Sequence, residues 1–126
     1  MKVLLAVAIG GAIGAIARFQ LSQSFIKSFS GDFIYNTMVA NIVGCFLMGV
    51  CYEFMNLKMN FGVEWRACCI VGVLGAFTTF SSFALDVFIL VERGNFLNAS
   101  MYILSSVVFS IFGLFVGIYI MRTIIT

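Results

Sequence analysis

Four long apolar stretches, each closed by a short polar cluster, organise this chain from end to end. They run from about Val3 to Phe25, Phe33 to Phe54, Trp65 to Val91 and Phe96 to Ile125. A helix rising 1.5 Å per residue needs about 20 apolar residues to cross a hydrocarbon core ~30 Å thick, so each stretch is predicted to be a membrane-spanning helix. The polar connections lie around Lys27 to Asp32, Asn56 to Glu64 and Glu92 to Asn95, and their brevity suits neighbouring antiparallel helices. The expected fold is therefore all-α, one four-span membrane domain over residues 1–126.

The third stretch breaks the regularity. Its 27 residues would extend ~40 Å as one straight helix, so it is expected to tilt or break. Its middle reads Gly72, Val73, Leu74, Gly75, Ala76, Phe77, Thr78, Thr79, Phe80, Ser81, Ser82, Phe83, two glycines and four hydroxyls amid poor helix formers. An interrupted helix in lipid exposes peptide groups that only an ion, a polar cavity or nearby hydroxyls can satisfy. A cation or anion site is predicted there. One isolated Ser or Thr would be read as bonding back to its own helix, but four hydroxyls in five positions exceed that need.

Composition points to lipid as the solvent. The chain is 63% hydrophobic and 10% charged, which excludes an ordinary water-soluble domain, and four spans leave no residues for a separate catalytic domain. Cys45, Cys51, Cys68 and Cys69 lack both Cys-x-x-Cys spacing and any histidine partner, and read as small hydrophobes. Lys2 followed by an apolar run to Ala15-Ile16-Ala17 resembles a cleavable signal, but the run continues past Arg18, and Gly10, Gly11 and Gly14 offer a close-contact surface; a span is expected. Lysine and arginine barely orient the chain. Lys2, Lys58, Arg66 and Arg122 fall on one side, Arg18, Lys27 and Arg93 on the other, so either an unseen factor fixes the topology or the chain inserts both ways and pairs upside down. Two bundles meeting on glycine-rich faces could line a polar path that a single small bundle cannot enclose.

Several side chains carry two readings each. Asn41 could donate to an anion or bond across a helix interface. Tyr102, Ser106 and Ser110, at i, i+4 and i+8, form one hydroxyl stripe, either an ion track or a helix contact aided by Gly113 and Gly117. Phe80 and Phe83 share a helical face with Ser81 and Ser82 close by; they serve packing, or they turn positive ring edges toward an anion. Arg18 either draws anions to a vestibule or snorkels at the end of the first span. Charges within the spans lie near expected interfaces and no carboxylate is placed at mid-membrane, which argues against a proton-coupled pump.

Taken together these residues resemble the Fluc, or CrcB, family of small fluoride channels over essentially the whole chain. The likeness rests on Gly10-Gly11-x-x-Gly14-Ala15-x-x-Arg18-Phe19, on Thr37-x-x-x-Asn41-x-x-Gly44-x-Phe46-x-x-Gly49, and on GAFTTFSSF from Gly75 to Phe83. The resemblance implies passive fluoride export, with no enzyme activity, by an antiparallel, dual-topology homodimer in the inner cell membrane. It also implies two pores, broken third helices crossing at the centre and a structural sodium ion held by the main-chain carbonyls of Gly75 and Thr78. The implied pore residues are Asn41, Phe80 and Phe83 as the phenyl box, Ser81, Thr37, and the track Tyr102, Ser106 and Ser110, with Arg18 at the vestibule. Implied partners are fluoride, lipid and the second copy, with no nucleic acid. Where the family usually has Thr, Ser and Glu, this chain has Ser82, Ala84 and Asp86. Two rival functions are a small dual-topology multidrug exporter, which needs a titrating carboxylate in the first span, and a non-transporting subunit docked through its glycine faces.

Overall fold

A computed structural model describes residues 1–29, 34–58 and 60–126. The start proposed for the second span, Phe33, and the end of the first connection, Asp32, lie outside the described residues. The elements are α1 (Lys2–Ser28), α2 (Tyr35–Leu57), α3 (Val63–Arg66), a π-helical stretch (Ala67–Leu74), α4 (Gly75–Phe77), α5 (Phe80–Glu92) and α6 (Phe96–Ile125). Among the described residues four helical units, α1, α2, the run Val63–Glu92 and α6, are long and apolar enough to cross a membrane. This is an all-helical, multi-pass membrane protein.

Small residues decide which helices meet. A Cβ added at Gly14 would press into the Val73 carbonyl, and one at Gly10 into the Cys68 carbonyl, so α1 lies directly against the π-helical stretch. Gly72 answers from the other side, where an added Cβ would stand 2.9 Å from the Gly10 Cα. Gly11 joins the contact through its backbone, 3.0 Å from a Cβ added at Gly72, but its own added Cβ would meet nothing within 4 Å. The longest packed seam joins α2 to α6, where Gly49 meets the Leu114 carbonyl and Gly117 meets that of Phe46. Backbone-to-backbone approach replaces the hydrophobic drive that is missing between helices in lipid. At one end of this seam Glu53, only 5% exposed, accepts from Arg122 Nε at 2.7 Å.

The third span does break, at two residues. Thr78 (φ −83°, ψ 157°) and Thr79 (φ −155°, ψ 126°) are extended, and helix resumes at Phe80. Local chemistry explains the place. The Thr79 hydroxyl accepts from the Ser82 amide at 3.2 Å, an N-cap that starts α5, while the Thr78 amide and hydroxyl both donate to the Leu74 carbonyl at 3.0 Å, closing α4. Gly44 of α2 makes room for it, since a side chain there would strike Thr78 Cγ2 and approach Phe77 Cδ1 to 3.1 Å.

Candidate functional site

The break is clamped from α2. Asn41 Oδ1 accepts from the Thr79 amide at 2.8 Å, and Asn41 Nδ2 donates to the Thr79 carbonyl at 2.9 Å. One carboxamide thus satisfies both peptide groups of an extended residue, which lipid could not do. The consequence appears one turn away on each side. In an unbroken helix the Thr79 amide would serve the Gly75 carbonyl and the Ser82 amide would serve that of Thr78; here those amides go to Asn41 and to the Thr79 hydroxyl. Gly75 and Thr78 therefore each lose their i+4 donor.

Both carbonyl residues line a cavity of about 360 Å³ between α2, the break and α6. Asn41, Thr79, Phe80, Phe83, Ser106 and Ser110 line it too, with Cys45. Its lining has amides, carbonyls, hydroxyls and apolar surface but no charged side chain. Within it, the hydroxyl oxygens of Ser106 and Ser110 are buried and have no hydrogen-bond partner. Buried hydroxyls are nearly always paired, so two unpaired ones a turn apart on the same wall are an exception that calls for an explanation.

The phenyl rings have unequal settings. Phe83 is 8% exposed and Phe80 is 78% exposed. Their centroids are 5.4 Å apart with planes at 52°, while the Phe83 face is stacked on Tyr102 at 5.5 Å and 25°. Tyr102 thus covers one face of Phe83, and the ring lines the cavity. Tyr102 itself, 4% exposed, donates its hydroxyl to Asp86 Oδ2 at 2.8 Å and approaches the Ile34 carbonyl at 3.3 Å.

A second cavity of about 390 Å³ contains Arg18, Ser22, Asn36, Thr37, Thr79, Ser82 and Asp86. Thr79 faces both cavities, so the break is the wall they share. Arg18 and Thr37 belong to this second space, and the Thr37 hydroxyl donates to Asn36 Oδ1 at 3.1 Å, while Asn36 Nδ2 donates to Ser22 at 2.7 Å. The structure therefore gathers Asn41, Gly75, Thr78, Phe80, Phe83, Ser106 and Ser110 at one site. It sets Tyr102 behind Phe83, and leaves Ser81 exposed and 3.2 Å from the Thr79 hydroxyl. The sequence pattern alone does not single out Thr79, the pivot of the site. A signal for it exists: a threonine immediately before an apolar run is an N-cap candidate. Asp86 stands out in the sequence only as a shortened side chain, although it is 3% exposed and holds Tyr102.

Among the described residues no group of three or more His, Cys, Asp or Glu side chains is placed to hold a metal ion. Carbonyl oxygens are the remaining donors for a cation; the break takes the i+4 donor from Ala76 and Phe77 as well as from Gly75 and Thr78, and of these four residues Gly75 and Thr78 line the cavity.

Residues 5–118 match the family model described as CrcB-like protein, Camphor Resistance (CrcB). The chain belongs to the CrcB family. Both cavities and the break lie wholly inside the matched span. Three relatives match over nearly full length on both sides. A protein of Rhizobium etli named fluoride-specific ion channel FluC is 42% identical over 121 residues, 96% of this chain and 97% of its own. A protein of the same name from Rhodospirillum centenum is 43% identical over 123 residues, 98% of each chain. Another, from Agrobacterium fabrum, is 41% identical over 118 residues, 94% of each.

Proposed function

We propose that this protein is a fluoride-selective channel of the inner cell membrane, passing the ion passively between two antiparallel copies of the chain and performing no bond chemistry. The observation that carries this reading is the pair of partnerless buried hydroxyls, Ser106 and Ser110, in an uncharged cavity that also holds Asn41 and the Phe80–Phe83 pair. Fluoride is small and strongly hydrated, so a path for it must replace water with close donors. Neutral donors and ring edges do this without a fixed positive charge that would trap the ion. The second proton of Asn41 Nδ2 is free of the Thr79 contact and adds one more donor.

One chain supplies one wall. Phe80 is 78% exposed beside the cavity, and Val71, Phe112 and Phe115 are more than half exposed. A second copy would cover such surface and close the open side of the cavity into a pore. The near balance of lysine and arginine across the membrane supports inverted pairing. In that arrangement the freed carbonyls of Gly75 and Thr78 from two breaks give four oxygens, a donor set suited to a hard monovalent cation such as sodium. Bound there, sodium would brace the crossing and add positive potential, while the protein's own residues move the anion.

Proton-coupled export finds little support, because α1 contains no aspartate or glutamate. The deciding experiment uses purified protein in liposomes loaded with fluoride or chloride. Fluoride should leave and chloride stay, and Phe80→Ile and Phe83→Ile should each cut fluoride efflux at least tenfold. Equal chloride efflux, or unchanged fluoride efflux in both variants, refutes the assignment. A protein that moves neither ion and copurifies with a stoichiometric partner is the docked-subunit alternative.

A further inference from the structure

Among the described residues the main cavity has one thiol. Cys45 follows Asn41 by four positions, a turn further along the same face of α2, and both side chains line the space between α2, the break and α6. Its sulfur is free, half-buried and close to the Ser110 hydroxyl, short of hydrogen-bond geometry. The other cysteines go elsewhere. Cys51, Cys68 and Cys69 line neither cavity of the site, and the Cys68 Sγ lies against α1, 3.1 Å from a Cβ added at Gly10.

A thiol by itself marks nothing, because free cysteine is readily buried as a small hydrophobe. Here a second observation stands beside it. Ser106, 4% exposed, and Ser110 both line this cavity with hydroxyls that have no protein partner. Such a group is costly to bury, and water or an ion in the cavity would satisfy it. Cys45 thus stands on the wall of a space with room and need for a polar occupant. That setting also favours reaction at sulfur, since the thiolate is the nucleophile and forms where water reaches it. A cysteine packed between helices lacks the condition.

We propose that Cys45 is a thiol gate on the conduction path, closed when its sulfur exchanges with a small uncharged disulfide and reopened by reduction. This rests on the permeation reading. In the closing step the Cys45 thiolate attacks one sulfur of R–S–S–R. A Cys45–S–S–R bond forms, the old sulfur–sulfur bond breaks, and the departing R–S⁻ takes up the proton that Cys45 gave, so one disulfide replaces another without net oxidation. A free thiol in excess reverses the exchange. Closure follows because the adduct sets a group with no hydrogen-bond donor beside Ser110, and a strongly hydrated ion needs close donors all along its path. The lining carries no charged side chain to replace the hydration of a charged reagent, so small uncharged ones are the class that enters.

The probe is methyl methanethiosulfonate, which transfers CH3S to a thiolate and releases methanesulfinate. Full-length protein in liposomes is treated, adducts at each cysteine are quantified by peptide mass spectrometry, and fluoride efflux is measured before treatment, after it and after dithiothreitol. Cys45 should react roughly tenfold faster than Cys51, Cys68 and Cys69. Efflux should fall by roughly tenfold as the Cys45 adduct nears completion, and dithiothreitol should restore it. The triple variant Cys51→Ala, Cys68→Ala, Cys69→Ala should close in the same way, whereas Cys45→Ser, whatever its starting rate, should show equal efflux before and after treatment. Failure of Cys45 to react, undiminished efflux with Cys45 fully modified, insensitivity of the triple variant, or closure that persists in Cys45→Ser overturns the gate and leaves the permeation reading standing. Untreated wild-type protein that moves no fluoride overturns the permeation reading and the gate with it.

Discussion

Replacing Asn41 by leucine probes the link between helix break and transport most directly. Leucine keeps the four-heavy-atom side chain branched at Cγ, so no truncation cavity is left and the main loss is that of two hydrogen bonds, at 2.8 and 2.9 Å, to the Thr79 main chain. Interhelical side-chain bonds in membranes contribute about 0.6 kcal/mol on average and up to about 1.7, so the pair is worth about 1–3 kcal/mol. For a chain of this length that corresponds to a melting temperature lower by roughly 5–12 °C in detergent. The released Thr79 amide has one good alternative, the Gly75 carbonyl, and taking it re-forms the helix across the break. The same 1–3 kcal/mol then shifts the broken-to-continuous balance roughly 5- to 150-fold. Fluoride efflux from proteoliposomes should fall, because the variant loses the Asn41 donor in the cavity along with the clamp on the break, with thermal melting followed by intrinsic fluorescence on the same preparation. Asn41→Leu protein melting within about 1 °C of wild type and conducting at its rate would show that Asn41 does not hold the break open.

Ser106→Ala and Ser110→Ala separate function from stability, since each removes a buried hydroxyl that has no protein partner; efflux should drop while the melting temperature holds or rises slightly, as expected when an unsatisfied group is deleted. Gly14→Ala drives a methyl into the Val73 carbonyl and should destabilise the fold by about 1–3 kcal/mol, whereas Gly11→Ala, with open space around its added Cβ, should melt close to wild type. Inverted pairing is checked in cells, where cysteines placed at Lys27 and at Lys58 should each be labelled by an impermeant reagent from both faces of the membrane.

The hydrophobic pattern alone determined four spans, because burial in lipid is a requirement on every residue of a helix and leaves a mark about 20 residues long. Hydroxyls and glycines also marked where the third span would fail, since an excess of poor helix formers in an apolar run is a local property. Glycines 10 and 14 announced a close contact, but only the fold showed that the contact is with the Cys68 and Val73 carbonyls and that the Cα hydrogens of Gly11 point away from it. Asn41 carried two meanings in the sequence. Tertiary structure decided that its amide clamps Thr79, 38 positions away, and that the same clamp frees the Gly75 carbonyl. Tyr102, Ser106 and Ser110 read as one stripe, yet the stripe divides, because Asp86 claims the tyrosine hydroxyl and nothing claims the serines. Helical periodicity specifies which residues share a face; what stands opposite that face depends on how distant helices pack, and that is where hydrogen-bond partners are assigned.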